Sequence, residues 1–510
     1  MSFWLWPVLL VAAALFALAL FDLLQKRHSL LRNFPLVAHL RYMLEAIGPE
    51  LRQYIVTSND EDLPFSRDQR RWIYSTAKGE NPYFGFGSDN DIERTPNYLI
   101  IKQASFPLDL HDDSGPGSPP DFELPPAKVL GRSRGRNKAF RPESAINISG
   151  LSFGALSLRA IEAVNRGAAI VGCWQNTGEG AITSAHRFGG KLVFQIGTGY
   201  FGCRDSAGNF SLSRLVDEVA QHDVVAIEIK LSQGAKPGIG GLLPAAKVSK
   251  EVAAAREVEP HKDCLSPPRH SAFADADSML DFVEEIADAT GLPVGIKSAV
   301  GEMDFWRDLA DLMTRGDRGV DFIAIDGAEG GTGAAPLVFS DHVSLPFKIG
   351  FPRVYKVFAE RGLTDQITFI GSGRLGLPES ALLAFAFGCD IVAVGREAML
   401  ALGCIQAQRC QTDRCPTGVT TNSKWLQRGL DPQHKAERLA DYIRGLRKEL
   451  LRLSRACGVE HPSLVSFDHI DFLDGHLNAT SGWEFFGYQR GWGLPSAENA
   501  AEIRALMTSA

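Results

Sequence analysis

The chain has 510 residues, 45% hydrophobic and 22% charged, which suits one large α/β domain with additions or two to three smaller ones. Its formal net charge of −7 gives no electrostatic footprint for nucleic acid. Eight cysteines over this length are not a disulfide framework, and three of them cluster, which points to a bound cofactor.

The N-terminus opens with "FWLWPVLLVAAALFALALF", Phe3 to Phe21, which lacks charge and is long enough to span a bilayer as a helix. Lys26, Arg27 and Arg32 follow it, so the expected topology is a single-pass membrane anchor over residues 1–24 with the rest of the chain cytoplasmic. A cleaved signal peptide would want a basic residue before the run and a small-x-small site after it. Neither is present, since Ala17-Leu18-Ala19 lies inside the run. Residues 25–140 read as an irregular juxtamembrane region. Within it "LVAHLRYMLEAIGPELRQYI" has helical spacing, with Pro49 expected to start a fresh turn, and the Pro- and Gly-rich stretch from Asp109 reads as a surface loop.

After residue 140 short, mostly β-branched apolar runs recur. They are "AINISG" at 145, "AIVGCWQNTG" at 169, "LVFQIG" at 192, "VVAIEIK" at 224, "PVGIK" at 293, "FIAIDG" at 322, "TFIGSG" at 368 and "DIVAVG" at 390. Near-continuous apolar runs mark strands buried on both faces. Helical patterns such as "SLRAIEAVNRGAAI" and "ADSMLDFVEEIADATG" lie between them. Eight such units over residues 141–430 predict a TIM (β/α)8 barrel, with a doubly wound sheet as the alternative. Residues 231–292 interrupt the rhythm and read as an inserted functional loop. Residues 431–510 read as a C-terminal helical extension, led by an amphipathic helix over 434–457 that serves packing.

Barrel enzymes work at the C-terminal ends of their strands. Those ends carry Ser149-Gly150 and "LSFGALS", Gln175 to Gly180, Gln195, Glu228 with Lys230, Lys297, "DGAEGGTGAAP", "GSGR" and "GRE". Glycines after the seventh and eighth strands form the usual phosphate cradle, which Arg374 and Arg396 could neutralise. A lysine closing a buried strand is costly unless paired, so Lys297 is expected to contact a cofactor, with a salt bridge to Glu228 as the alternative. A cation there suits a flavin, on which negative charge develops during reduction. Cys404, Cys410 and Cys415 lie within twelve positions and are followed by Pro416. Soft thiolates suit iron–sulfur chemistry, and a zinc site completed by His434 or Asp413 stays open. Cys173, Cys203, Cys264, Cys389 and Cys457 are scattered and read as packing residues.

"LSFGALS", "QNTGEGA", "SQGAKPGIGG", "LSPPRH", "GAEGGTGAAP" and "CIQAQRCQTDRCPTGVTT" together resemble, in that order, the synthase domain of FMN-binding glutamate synthases across roughly residues 140–425. The resemblance implies a barrel that binds FMN beside a 3Fe–4S cluster held by Cys404, Cys410 and Cys415. It places Ser152, Gly154, Asn176 and Gln195 along the isoalloxazine and Lys297 at its N1 and O2 side. Gly331, Thr332 and Gly333 would close over flavin and substrate, and Gly371, Gly373, Gly395 and Arg396 would surround the phosphate. Glu179, Lys230, Gln233 and Lys236 lie where the family handles 2-oxoglutarate and its imine, and Arg256 where it has a substrate-binding arginine. The implied reaction is reductive amination of 2-oxoglutarate to glutamate. Electrons would come from a donor protein such as ferredoxin, and ammonia from solution or a separate amidotransferase.

The chain departs from the family's "GAKPGEGGQLPG" at Ile239 and Leu242, and Tyr200 replaces an arginine of the third-strand loop. All three changes are expected to lower the polarity of the substrate side. They leave room for an FMN oxidoreductase with a less polar substrate, or for a non-catalytic redox or scaffold subunit at the membrane.

Overall fold

The computed structural model describes residues 5–54, 62–83, 85–88, 90–109 and 122–509. Most of the loop expected after Asp109 lies outside the described residues, as do Phe3 and Trp4 of the apolar run.

Eight parallel strands close into a barrel. They are β1 (Ile146–Ile148), β2 (Gln175–Asn176), β3 (Leu192–Ile196), β4 (Val224–Lys230), β5 (Val294–Ser298), β6 (Phe322–Asp326), β7 (Thr368–Ser372) and β8 (Ile391–Val394). Every run expected to form a strand contributes one, and the fold is the TIM barrel rather than the doubly wound sheet. The second is shorter than its apolar run, because Ala169 and Ile170 finish the preceding helix Leu158–Ile170 and only Gln175 and Asn176 pair.

Period-2 alternation sorts each strand. Val193, Ala226, Phe322, Ala324, Ile370 and Ala393 fill the barrel interior, with Leu130 closing the lower end. Ile227, Ile229, Ile296, Ile323 and Ile325 belong to the larger core that also contains residues of the surrounding helices.

Among the described residues the N-terminal portion supplies four helices, α1 (Leu5–Leu24), α2 (Ser29–Asn33), α3 (Val37–Tyr54) and α4 (Arg67–Ala77). Residues 6–24 of α1 have a mean hydropathy of 2.5 and are long and apolar enough to cross a membrane. Helix α3 runs unbroken through Pro49, so the expected fresh turn there does not form. Helix α4 begins with a capping box in which Ser66 and Gln69 satisfy each other's backbone N–H groups. It packs on the long helix Pro432–Ala456, which in turn lies against Leu158–Ile170. Beyond that helix, Ile470–Leu473 pairs antiparallel with both Tyr98–Ile101 and Ala479–Ser481. The inserted stretch after β4 holds a small antiparallel pair, Leu242–Leu243 with Cys264–Leu265, and the helix Lys250–Arg256.

Candidate active site

Inward alternation brings Gln195, Glu228, Lys230, Lys297, Asp326 and Ser372 to the C-terminal mouth of the barrel. Five of them, Gln195, Lys230, Lys297, Asp326 and Ser372, line a cavity of 380 Å³, a volume in the range of ordinary small-molecule sites. Lys297 is buried and faces Asp326 at 3.6 Å, and its Nζ donates to Ser149 Oγ at 3.2 Å. Its carboxylate neighbour is thus Asp326 rather than Glu228. Glu228 is occupied one layer below, where Asn176 and Gln195 donate to its Oε1 at 2.8 and 2.6 Å. Burial opposes the charge on Lys297, but Asp326 and Glu228 outweigh it and hold the ammonium above its ordinary range. Burial likewise opposes the Asp326 carboxylate, yet Lys297 and hydrogen bonds from Gly234 N and Ser372 Oγ hold it below the usual range.

A second polar group forms at the end of β4. Lys230 Nζ reaches Glu179 Oε1 at 2.5 Å and Gln233 Oε1 at 2.7 Å. Burial would raise the Glu179 carboxyl, but Lys230 and Lys236 hold it below the ordinary range. Lys236 donates to Gly240 O at 3.3 Å and is pushed down by burial, then by Lys230. The "QGAK" glycine has a steric reason: a Cβ on Gly234 would lie 1.8 Å from Gly327 O, so only glycine lets this loop seat on the end of β6. The four residues expected to handle substrate are therefore brought together.

Across the barrel, the loops after β7 and β8 bring Gly373, Arg374, Gly395 and Arg396 to the cavity. Gly373 has φ +121°, and a Cβ there would meet Gly327 N at 3.0 Å. Both guanidiniums lie over the Phe65 ring, at 5.7 and 5.1 Å, so the N-terminal region closes this side. Among the described residues neither Arg374 nor Arg396 has a carboxylate ion-pair partner; Arg396 donates instead to Glu329 O. Gly331, Thr332 and Gly333 also line the cavity, as does Ser152.

Three expected cofactor contacts lie off the cavity surface. Gly371 sits on the outward face of β7, where a Cβ would strike Cys389 Sγ at 2.8 Å. Gly154 turns with φ +97° beneath Leu243 and Arg256. Asn176 lies below the mouth, bonded to Glu228 and to Gly178 N.

The inserted stretch forms the remaining wall through Leu242, Leu243, Lys247, Arg256 and Cys264. Arg256 donates to Phe153 O at 2.9 Å, and its buried Nε has no partner. Lys247 donates to Ala155 O at 2.7 Å and Cys410 O at 3.0 Å, tying the insertion to the cysteine loop. Cys264, expected only to pack, is on the cavity wall with its sulfur 3.8 Å from Arg256 Nη1. Of the apolar departures, Leu242 faces the main cavity and is 40% exposed, whereas Ile239 faces a small recess beside Lys230 and Lys236. Tyr200 does not reduce the polarity of the cavity surface. It is 1% exposed, and its hydroxyl accepts from Ser271 N and Ala272 N at 3.0 and 3.1 Å.

Cys410 lines the cavity, and Cys404 and Cys415 stand on the same loop. Burial pushes the Cys404 thiol up to about 12, and the charges of Cys415 and Cys410 add to that. Burial also opposes ionisation of Cys415, but hydrogen bonds from Thr417 and Thr420 hold it below its ordinary value. Tyr74 donates to Cys404 O at 2.7 Å, and Asn33 to Pro416 O at 3.0 Å, so the N-terminal helices brace the loop from outside. No group of three or more His, Cys, Asp or Glu side chains among the described residues is gathered to hold a metal ion. His434 pairs instead with Glu437, and Asp413 Oδ1 accepts from Asn422 N.

The conserved region of glutamate synthase matches residues 127–460. The chain belongs to the glutamate synthase family. Among its relatives, "Glutamate synthase large subunit-like protein YerD" of Bacillus subtilis is 36% identical over 476 residues, covering 88% of this chain and 90% of that protein. "Archaeal-type glutamate synthase (NADPH)" of Thermotoga neapolitana is 32% identical over 442 residues, covering 85% and 78%. "Archaeal glutamate synthase (NADPH)" of Methanocaldococcus jannaschii is 33% identical over 318 residues, 62% of this chain and 59% of that protein.

In this glutamate synthase family member the polar pairs impose a pH dependence. Glu179 and Asp326 are both held below ordinary carboxylate values. Their contribution to stability is therefore present above the unfolded value of about 4 and is lost as pH falls through the folded values. Glu179→Gln is expected to flatten the acid limb of the stability curve as pH falls below the unfolded carboxylate value of about 4, read by thermal unfolding. An unchanged limb would show that Glu179 is not charge-paired in solution.

Proposed function

We propose that this chain is an FMN- and iron–sulfur-dependent oxidoreductase that reductively aminates 2-oxoglutarate to glutamate, held at the membrane by α1 with its barrel on the cytoplasmic side. The observation that carries the reading is charge. Six cationic side chains, Lys230, Lys247, Arg256, Lys297, Arg374 and Arg396, line the cavity against three carboxylates, Glu179, Asp326 and Glu397. Such a wall suits a phosphate and a dicarboxylate bound together.

The residues present fit FMN. Gly373 and Gly395 leave open backbone, Arg374 and Arg396 have guanidinium charge to spare, and Lys297 supplies a cation at the mouth. Bound FMN would supply hydride transfer. The chain's own groups then divide the remaining work. Arg256 and Lys247 offer cations to substrate carboxylates on the insertion wall. Lys230 orients Glu179 and Gln233. Lys236 Nζ, made less basic by burial and by Lys230, is the group best able to hold or release a proton. The insertion and Phe65 limit the access of water.

The thiols fit an iron–sulfur cluster in donor chemistry, as three soft ligands on one loop that touches both the cavity and Lys247. Electrons would enter there from a donor protein such as ferredoxin. Ammonia would come from solution or from a separate amidotransferase. Cys410→Ser is expected to remove iron and acid-labile sulfide while leaving the flavin absorbance largely intact. One equivalent of zinc with no sulfide in the unaltered protein would contradict the cluster.

A second reading, a less polar substrate for the same site, is favoured by one observation, the exposed Leu242 on the cavity wall. Leu242→Gln, with Ile239→Glu, tests it. If 2-oxoglutarate is the substrate of a weakened site, kcat/KM for it should rise about fivefold per hydrogen bond gained, most of it from position 242. Under the second reading the change lowers turnover of the native substrate and leaves 2-oxoglutarate unused.

A further inference from the structure

We propose that helix α3 lies in the plane of the bilayer surface with one apolar face in the acyl–headgroup boundary, holding the cysteine loop at the membrane. The proposal rests on the reading of α1 as a membrane span. Val37, Leu40, Leu44 and Ile47 recur at three- and four-residue spacing on α3 and are 74%, 56%, 50% and 44% exposed, with exposed Met43 on the same side and Phe34 just before it. This is the pattern of an amphipathic helix whose apolar stripe has no partner among the described residues.

The opposite face is occupied. Ala38 packs with Leu30 and Leu31 against Tyr42 and Ile405, the last from the cysteine loop. His39 Nε2 meets both carboxylate oxygens of Asp22, at 2.9 and 3.0 Å, and Asp22 also accepts from Leu36 N at 3.0 Å. Asp22 is fully buried near the C-terminal end of α1. The start of α3 is therefore fixed to the lower end of the apolar helix, which is where a 20-residue span meets the lipid boundary.

The occupant of the α3 face follows from that continuity. Leu20, Phe21 and Leu24 at the end of α1 are exposed and apolar like α3's outer stripe. Arg27, exposed just after α1, offers a cation to anionic headgroups, and Lys26 beside it is 66% exposed while its Nζ pairs with Asp431 at 3.3 Å. The surface chemistry is that of an interfacial helix beside a span. Asn33, whose side chain donates to Pro416 O and Leu426 O at 3.0 and 2.7 Å, connects this unit rigidly to the loop that carries the cysteines.

The test uses the full-length protein in vesicles of phosphatidylcholine and phosphatidylglycerol. A photoreactive benzophenone amino acid replaces, one at a time, Phe16 on α1, Leu40 and Leu44 on α3, and Asp217 on an outer barrel helix. Lipid adducts are measured by mass spectrometry. The expected result is labelling at Phe16, Leu40 and Leu44 about tenfold or more above that at Asp217. Labelling at Phe16 with none at Leu40 or Leu44 overturns the proposal and leaves the anchor standing. Adducts at Leu40 and Leu44 to a second copy of the chain instead of lipid also overturn it. Labelling at Leu40 and Leu44 without Phe16 supports an interfacial α3 and removes the span. No labelling at any of the three positions overturns both readings.

Discussion

Lys230→Met is expected to cut turnover by at least 10²-fold, in the range for loss of a positioned acid–base or charge-binding group. It should also destabilise the protein by about 3 kcal/mol, the low end for a broken buried pair, because Glu179 keeps one side open to the cavity. Lys230 Nζ contacts both Glu179 and Gln233, and its charge is the largest influence holding the Glu179 carboxyl down against burial. Without it burial is opposed only by Lys236 and Arg256, and the Glu179 carboxyl moves up from its depressed value. The double variant Lys230→Met with Glu179→Gln should recover much of the stability and none of the turnover. Recovery of turnover in the double variant would mean that Lys230 serves only to neutralise Glu179.

Lys297→Met is expected to weaken flavin binding and to lower the midpoint potential of the flavin that remains. A lost hydrogen bond from a charged group is worth about 1.5–3 kcal/mol, which for a two-electron couple corresponds to roughly 30–60 mV. The variant also strands Asp326, which keeps Ser372 and Gly234 N as partners but loses its charge neighbour. Its carboxyl should then move up from its depressed value. An unchanged potential, measured by spectroelectrochemistry, would remove Lys297 from the flavin's environment.

The barrel was legible because strands buried on both faces carry apolar runs with a polar or glycine stop, and all eight runs contain a barrel strand. Where an apolar run straddled a helix end, as at Ala169 and Ile170, composition could not divide helix from strand. Pro49, expected to start a fresh turn, sits inside α3, which continues through it. Lys297 stood out as a charge closing a buried strand, and Asp326 in "FIAID" carries the same signal. Glu228 was only an example of a salt-bridge partner in the alternative reading, because the strand register that decides between barrel carboxylates is not written in the sequence. The register places Lys297 level with Lys230 and sets Glu228 level with Gly295, one layer lower. Gly371 and Gly373 differ because the first is inside β7 on its outward face while the second lies past the strand end in a positive-φ turn, a distinction that a glycine count cannot make. Lys247 and Cys264 gave no periodic signal, because they lie in an insertion whose position is set by contacts across the barrel mouth. Tyr200 shows the opposite error: a departure from the family pattern looked like a change of pocket chemistry, but its hydroxyl is spent on the backbone of Ser271 and Ala272.

The α1 helix bears on any shortened form of the protein. Asp22, fully buried against His39 and Leu36 N, makes the end of that helix part of the folded body. Removal of residues through Arg32 should therefore lower thermal stability, whereas trimming that stops before Asp22 should not. Equal melting temperatures for the two would contradict the packing described.

The central claim is that this barrel passes hydride to an imine of 2-oxoglutarate. The protein is reduced anaerobically until its flavin is bleached, then mixed with 2-oxoglutarate and ammonia while flavin absorbance and glutamate are followed. The account predicts reoxidation that needs both compounds, with one glutamate formed per flavin. Bleached flavin that persists with 2-oxoglutarate and ammonia, yet recovers with a different acceptor, would contradict it.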